Sequence, residues 1–72
     1  MTAGDAVRVV FNGEGAEVGS GWTLRDLLDD RGLDPRAVAV ERNGEIVPRG
    51  RYDEIVLEAG DQLEVVRFVQ GG

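Results

Sequence analysis

The sequence predicts a small α+β domain in which a mixed sheet of four to five strands packs on one amphipathic helix. Three observations predict it. Segments of alternating apolar residues stand near both ends, "AVRVVF" (6 to 11) and "QLEVVRFV" (62 to 69). The turn dipeptide Asn-Gly occurs twice, at Asn12-Gly13 and at Asn43-Gly44. One stretch alone, "TLRDLLDDRG" (23 to 32), carries apolar residues at helical spacing.

In chain order, Val7, Val9 and Phe11 fall on one face of the first segment and Arg8 and Val10 on the other, the period of a half-buried strand. Asn12-Gly13 supplies the positive φ angles of a tight hairpin turn, so "AEV" (16 to 18) is expected to pair back as a second strand. Thr23 is placed to cap a helix, with Asp26 three residues on standing where a capping box usually has Glu. Leu24, Leu27 and Leu28 make one apolar stripe, and Gly32 suits a C-cap, which predicts a helix of about two to three turns. "LDPR" then turns the chain into a third strand, "VAVERN" (38 to 43). After Asn43-Gly44, "EIV" returns briefly and Pro48 stops it, because proline cannot donate to a ladder. "GRYDEIVLEAGD" reads as an irregular connection with a short extended piece near Ile55 to Leu57, and Gly60-Asp61 turns the chain into the last strand, 62 to 69. There is no internal repeat or low-complexity linker. Residues 1–69 therefore read as one domain and residues 70–72 as a flexible tail.

A sheet this small and one helical stripe can bury their apolar faces only as two layers. The predicted core is Val7, Val9, Phe11, Leu24, Leu27, Leu28, Val38, Val40, Leu63 and Val65. The last strand also carries apolar residues on the opposite parity. If the two terminal strands are neighbours, Val10, Val66 and Phe68 form an exposed apolar patch, which on a small domain marks a partner surface. Arg67 falls on core parity, which requires the strand to have run past the helix by that point.

Composition excludes several functions. The formal net charge of −6 repels phosphate backbones and anionic headgroups, so neither nucleic acid nor membrane is an expected partner. The first residues show no basic region leading into a long apolar stretch, and the expected location is the cytoplasm. There is no Cys and no His, and all eight basic residues are Arg. Disulfides, thiolate or imidazole metal sites, the usual nucleophilic triads, Schiff bases and a P-loop lysine all fall away. Asp26, Asp29 and Asp30 lie on the solvent side of the helix, where charge is the default. The sequence therefore points to a protein that is not an enzyme by itself and binds no cofactor or metal.

What remains is the end of the sequence, "VVRFVQGG". Gly71 and Gly72 pack nothing and lose more entropy on ordering than any other residue. They suit a tail that lies flat in a narrow channel and presents a bare α-carboxylate. Gln70 to Gly72 extend at most about 10 Å, so an enzyme that reaches Gly72 must also dock against the end of the last strand.

The order strand, hairpin, helix, strand, with a last strand running into Gly-Gly, resembles the ubiquitin-like β-grasp fold. The stretch "VAVERNGEIVPRGRYDEIVLEAGDQLEVVRFVQGG" (38 to 72) resembles the sulfur carrier proteins of thiamin thiazole synthesis, the ThiS family. "VRVVFNGE" and "TLRDLL" fit the same pattern, so the resemblance covers nearly the whole chain. Its most specific parts are "VERN-x-E-I-V", "GD-x-L" and the final "GG". The related MoaD-like carriers of molybdopterin synthesis share the fold, the "GD" turn and the tail, while "VERNGEIVPR" favours the thiazole branch.

The resemblance implies a mechanism. An E1-like adenylyltransferase would use ATP to convert the Gly72 carboxylate into an acyl-adenylate. A persulfide from a sulfur donor such as a cysteine desulfurase would displace AMP and leave a thiocarboxylate, and thiazole synthase would take the sulfur. Gly72 would carry the chemistry, with Gly71 and Gln70 as its tail. Val10, Val66 and Phe68 are the docking surface expected from strand parity, not from the family. Two other classes stay open at this stage: a ubiquitin-like modifier joined through Gly72 to a target lysine, and a plain interaction module.

Overall fold

The computed structural model of the chain describes residues 6–68. The elements are strand β1 (Ala6–Phe11), β2 (Glu14–Gly19), helix α1 (Leu24–Asp30), β3 (Val38–Arg42), β4 (Glu45–Ile46) and β5 (Gln62–Arg67), with 3-10 turns at Pro35–Ala37 and Arg49–Arg51. They form a five-stranded sheet in the order β2-β1-β5-β3-β4. Both terminal strands lie inside the sheet, paired parallel, and the other pairings are antiparallel. The expected mixed sheet on a single helix is therefore what forms.

Each hairpin follows from its Asn-Gly dipeptide. Phe11 pairs with Glu14 and Arg42 with Glu45, so each loop is two residues long. Asn12 and Asn43 take φ of 51° and 53°, and Gly13 and Gly44 take 86° and 87°, the left-handed pair that matches the twist of the flanking strands.

Helix α1 is short, and it is capped at both ends. The Thr23 hydroxyl accepts from the Asp26 N–H at 3.1 Å, and the Asp26 carboxylate accepts from the Thr23 N–H at 2.9 Å. The N–H groups of Leu24 and Arg25, which no intrahelical carbonyl can reach, donate to the carbonyls of Ile55 and Tyr52. At the other end Gly32 takes φ +72°; its N–H reaches the Asp29 carbonyl and that of Leu33 the Leu28 carbonyl, a Schellman closure.

The core lies between α1 and the inner face of the sheet. Leu24, Leu27 and Leu28 meet Val9, Val18, Val38, Val40, Leu63 and Val65, all buried. Val47, Tyr52 and Leu57 close its edge from the irregular connection. The Tyr52 hydroxyl donates to the Val38 carbonyl at 3.4 Å. Val7 and Phe11 are only partly buried, unlike the expectation. Seven helical residues cover about 10 Å, whereas six strand residues run about 20 Å, so the two ends of β1 outrun the helix. Arg67 is exposed beyond the same helix, as its parity required.

Candidate functional site

The candidate site is the exposed end and outer face of β5, the central strand. Two asparagines hold β5 from opposite flanks. On one side the Asn12 N–H donates to the Leu63 carbonyl at 2.8 Å, and its carboxamide accepts from the Val65 N–H at 2.7 Å and donates to the Val65 carbonyl at 3.2 Å. On the other the Asn43 N–H donates to the Gln62 carbonyl at 2.7 Å, and its side-chain oxygen accepts from the Gln62 N–H at 2.9 Å. The residues that make the two turns therefore also set the register of the last strand.

Asp61 fixes where that strand begins. It is 5% exposed, and its carboxylate accepts from the Glu58 N–H at 2.9 Å, the Asn43 amide at 3.1 Å and the Arg42 guanidinium at 3.0 Å. Burial pushes its carboxyl pKa up, but the Glu58 N–H, the Asn43 amide and the Arg42 charge together outweigh burial, so the pKa falls below its ordinary value. The Asp61 carbonyl also accepts from Val10 at 2.9 Å. A buried, fully bonded carboxylate at this corner is the physical content of the "GD" turn.

At the far end the Phe68 N–H donates to the Ala37 carbonyl at 2.9 Å, the last described anchor before the tail. Val66 and Phe68 are 60% and 47% exposed, as parity required of a surface on this side. The guanidinium of Arg49 lies 5.6 Å from the Phe68 ring centroid. Val10 does not join them. It pairs with Gln62 and is half-buried, four residues along β5 from Val66, or about 13 Å. The expected three-residue patch is corrected accordingly: β1 and β5 are neighbours, but their parallel register sets Val10 at the opposite end of β5.

The structure adds a residue that the sequence reading missed. Val66 lies opposite Ala39 on β3, and Ile46, 77% exposed on β4, lies opposite Glu41 and so diagonal to Ala39 on the same face. The Asn43-Gly44 turn already determines that Glu41 and Ile46 share a face; that signal was in the sequence. Ile46, Ala39, Val66 and Phe68 make the exposed apolar stripe. Gln70, Gly71 and Gly72 lie outside the described residues. Among the described residues, no cluster of three His, Cys, Asp or Glu could hold a metal ion, and no helix is long and apolar enough to cross a membrane.

Residues 5–72 match the profile of the ThiS family. The chain belongs to that family of sulfur carriers. This ThiS-family chain is 46% identical over 50 residues to the sulfur carrier protein ThiS of Bacillus subtilis, covering 69% of its own length and 76% of that protein. It is 44% identical over 66 residues to the thiazole synthase of Paramagnetospirillum magneticum. That match takes in 92% of the ThiS-family chain but only 20% of the synthase. The crystal structure of the thiamine biosynthesis protein ThiS from Geobacter metallireducens superposes with a TM-score of 0.78 at 28% identity, covering 92% of this chain and all of the other. The ubiquitin-like β-grasp fold expected from the order of elements is the fold of the family.

Proposed function

We propose that the chain carries sulfur to thiazole formation as a thiocarboxylate on Gly72. The observation that carries this reading is the match to the synthase: nearly the whole chain aligns with a fifth of a polypeptide named for making the thiazole. A carrier-like segment within that polypeptide argues that carrier and synthase work on one another. The Bacillus subtilis relative supports the sulfur-carrying half of the reading.

The chemistry follows from what a carboxylate lacks. It is a poor electrophile, so an E1-like adenylyltransferase joins Gly72 to AMP, releasing pyrophosphate. The terminal sulfur of a persulfide, supplied by a cysteine desulfurase or similar donor, attacks the acyl carbon and AMP leaves. A thiol of the partner then cleaves the remaining S–S bond by forming a disulfide, and the thiocarboxylate is released. Thiazole synthase passes the sulfur to its acceptor molecule, an oxygen of that acceptor or of water replaces it on the acyl carbon, and the carboxylate returns. The chain itself contributes no catalytic group and binds no cofactor; ATP belongs to the activating partner. Gly71 and Gln70 supply reach, and the stripe of Val66, Phe68, Ala39 and Ile46 is the surface on which the partner docks. The reading places the chain in the cytoplasm, which supplies ATP.

Intact-mass spectrometry after incubation with the activating enzyme, ATP and a persulfide donor tests it. The expected product has one sulfur in place of one oxygen, and deleting Gly72 abolishes it without altering the melting temperature. Heavier covalent conjugates would instead indicate a modifier joined through Gly72. An unchanged mass would leave only an interaction module, and product accepted by molybdopterin synthesis but not by thiazole synthase would move the chain to the MoaD-like branch.

A further inference from the structure

Five of the eight arginines are matched to carboxylates at 2.8 to 3.4 Å: Arg8 with Glu17, Arg25 with Asp29, Arg36 with Asp34, Arg42 with Asp61 and Arg51 with Glu54. Arg31, Arg49 and Arg67 make no ion pair among the described residues, although the chain has 14 acidic residues to offer. The three are not scattered. Arg31 and Arg67 line one surface groove of about 350 Å³ that runs past Phe11 and Asn12. Arg67 and Phe68 together line the next, of about 300 Å³, and Arg49 sits over the Phe68 ring. The unmatched cations therefore ring the point at which the chain leaves β5.

We propose that Arg31, Arg49 and Arg67 form a basic rim that docks on an acidic face of the enzyme that receives the tail. This rests on the sulfur-carrier reading, which requires such an enzyme, and adds what that enzyme's surface carries. Charge complementarity argues for it. On a body of net charge −6 a positive rim gives the molecule a polarity, so an acidic partner is repelled from most of the surface and drawn to the tail end. The rim is also held in place. Arg31 lies 4.8 Å from the Phe11 ring centroid and Arg49 lies 5.6 Å from that of Phe68, cation–π contacts that order the guanidiniums before a partner arrives. Planar guanidiniums suit carboxylates, which they bind two bonds at a time. The three charges come from the C-cap of α1, a 3-10 turn and the end of β5, spread along a surface and not converging on one phosphate.

Steady-state kinetics of the activating enzyme test the rim, with the carrier varied at several ionic strengths. The variants are the triple Arg31→Gln, Arg49→Gln, Arg67→Gln and the single Arg67→Glu, with Arg8→Gln as a control from a matched pair. The rim variants should raise the KM for carrier about tenfold at low salt, the lower end of electrostatic steering, and flatten its salt dependence. Arg8→Gln should match the parent, and kcat and the KM for ATP should hold. If the triple variant does not fold, the exposed Arg67→Glu alone carries the comparison. A folded rim variant with the parent's KM and salt dependence overturns the rim. A rise in the KM for ATP in place of that for carrier also overturns it, by assigning the arginines to nucleotide phosphate. The parent's gain of sulfur in the same assay is a separate reading: a parent that is never converted sinks the sulfur-carrier function and the rim with it, whereas a parent converted as readily as its rim variants sinks the rim alone.

Discussion

The carboxamide of Asn12 holds both main-chain groups of Val65, accepting from its N–H at 2.7 Å and donating to its carbonyl at 3.2 Å across 53 residues of sequence. A turn residue thereby extends the parallel pairing of β1 and β5 by one more step, made by a side chain in place of a backbone. Asn12→Ala should lower stability by about 1–3 kcal/mol, because it forces alanine to φ 51° and leaves the Val65 N–H without its partner. Asn12→Asp keeps the turn and the acceptor but sets a second carboxylate oxygen against the Val65 carbonyl, and should fall between. Urea unfolding of both variants checks this. Equal stability of Asn12→Ala and parent would show that β5 is held without the clamp.

Asp61 makes the fold sensitive to acid. Its carboxyl has a lower pKa folded than unfolded, so its contribution is fully present above its ordinary value of 3.8 and drains away as the pH falls through the lower, folded value. Asp61→Asn should cost about 2 kcal/mol at neutral pH, since it leaves the half-buried Arg42 guanidinium without its carboxylate. The same variant should lose part of the parent's destabilisation below about pH 4. Melting curves of both proteins from neutral pH to acid would show the two lines converging; parallel lines would mean that other carboxylates govern the acid limb.

These two residues also explain how far the sequence could be read. Asn-Gly at 12 and 43, the Thr23–Asp26 cap and Gly32 act through neighbours, and each did what its local chemistry demands. The core positions of β3 and β5 followed from parity alone. Tyr52 and Leu57 did not, because an irregular connection has no period and is fixed by long-range bonds, the Tyr52 carbonyl accepting from the Arg25 N–H and the Leu57 N–H donating to the Trp22 carbonyl. Val10 went astray for a related reason. Parity correctly put it on the outer face, but its place along β5 depends on the long-range bonds of Asn12 and Asp61, which no local pattern reveals. On the outer face the exposure of Val66 and Phe68 was legible and that of Ile46 was overlooked, while Gln70, Gly71 and Gly72 lie outside the described residues.

The corrected face separates docking from stability. Phe68→Ala and Val66→Ser remove exposed apolar surface beside the tail, and should raise the KM of the activating enzyme for the carrier with little change in melting temperature. Ile46→Ser should act in the same direction. Val10→Ala lies about 13 Å along β5 from Val66 and should leave KM unchanged. The comparison is decided by the ranking. A Val10 effect as large as that of Phe68 would return the partner to the β1 end of β5, and a large loss of stability in Phe68→Ala would place that ring inside.

The absence of lysine has a chemical consequence that can be tested directly. On the sulfur-carrier reading Gly72 passes through an acyl-adenylate, and any nearby amine competes with the persulfide for its acyl carbon. The chain offers no side-chain amine, thiol or imidazole, and the cations at the end of β5 are guanidiniums, which stay protonated and do not attack. Arg67→Lys keeps the charge but introduces a nucleophile five residues before Gly72, at most roughly 17 Å of extended chain away. With activating enzyme and ATP, and with the sulfur donor left out, this variant should lose AMP to its own ε-amine and form an amide, read by mass spectrometry as a species one water lighter than the unreacted variant. Intermolecular amides should appear beside it as dimers. Arg8→Lys, on β1 beyond the opposite end of β5, should form the internal amide far less readily. If Arg67→Lys carried sulfur as cleanly as the parent and gave neither product, the acyl group would be shielded by the enzyme, and the choice of arginine at the tail would serve charge alone.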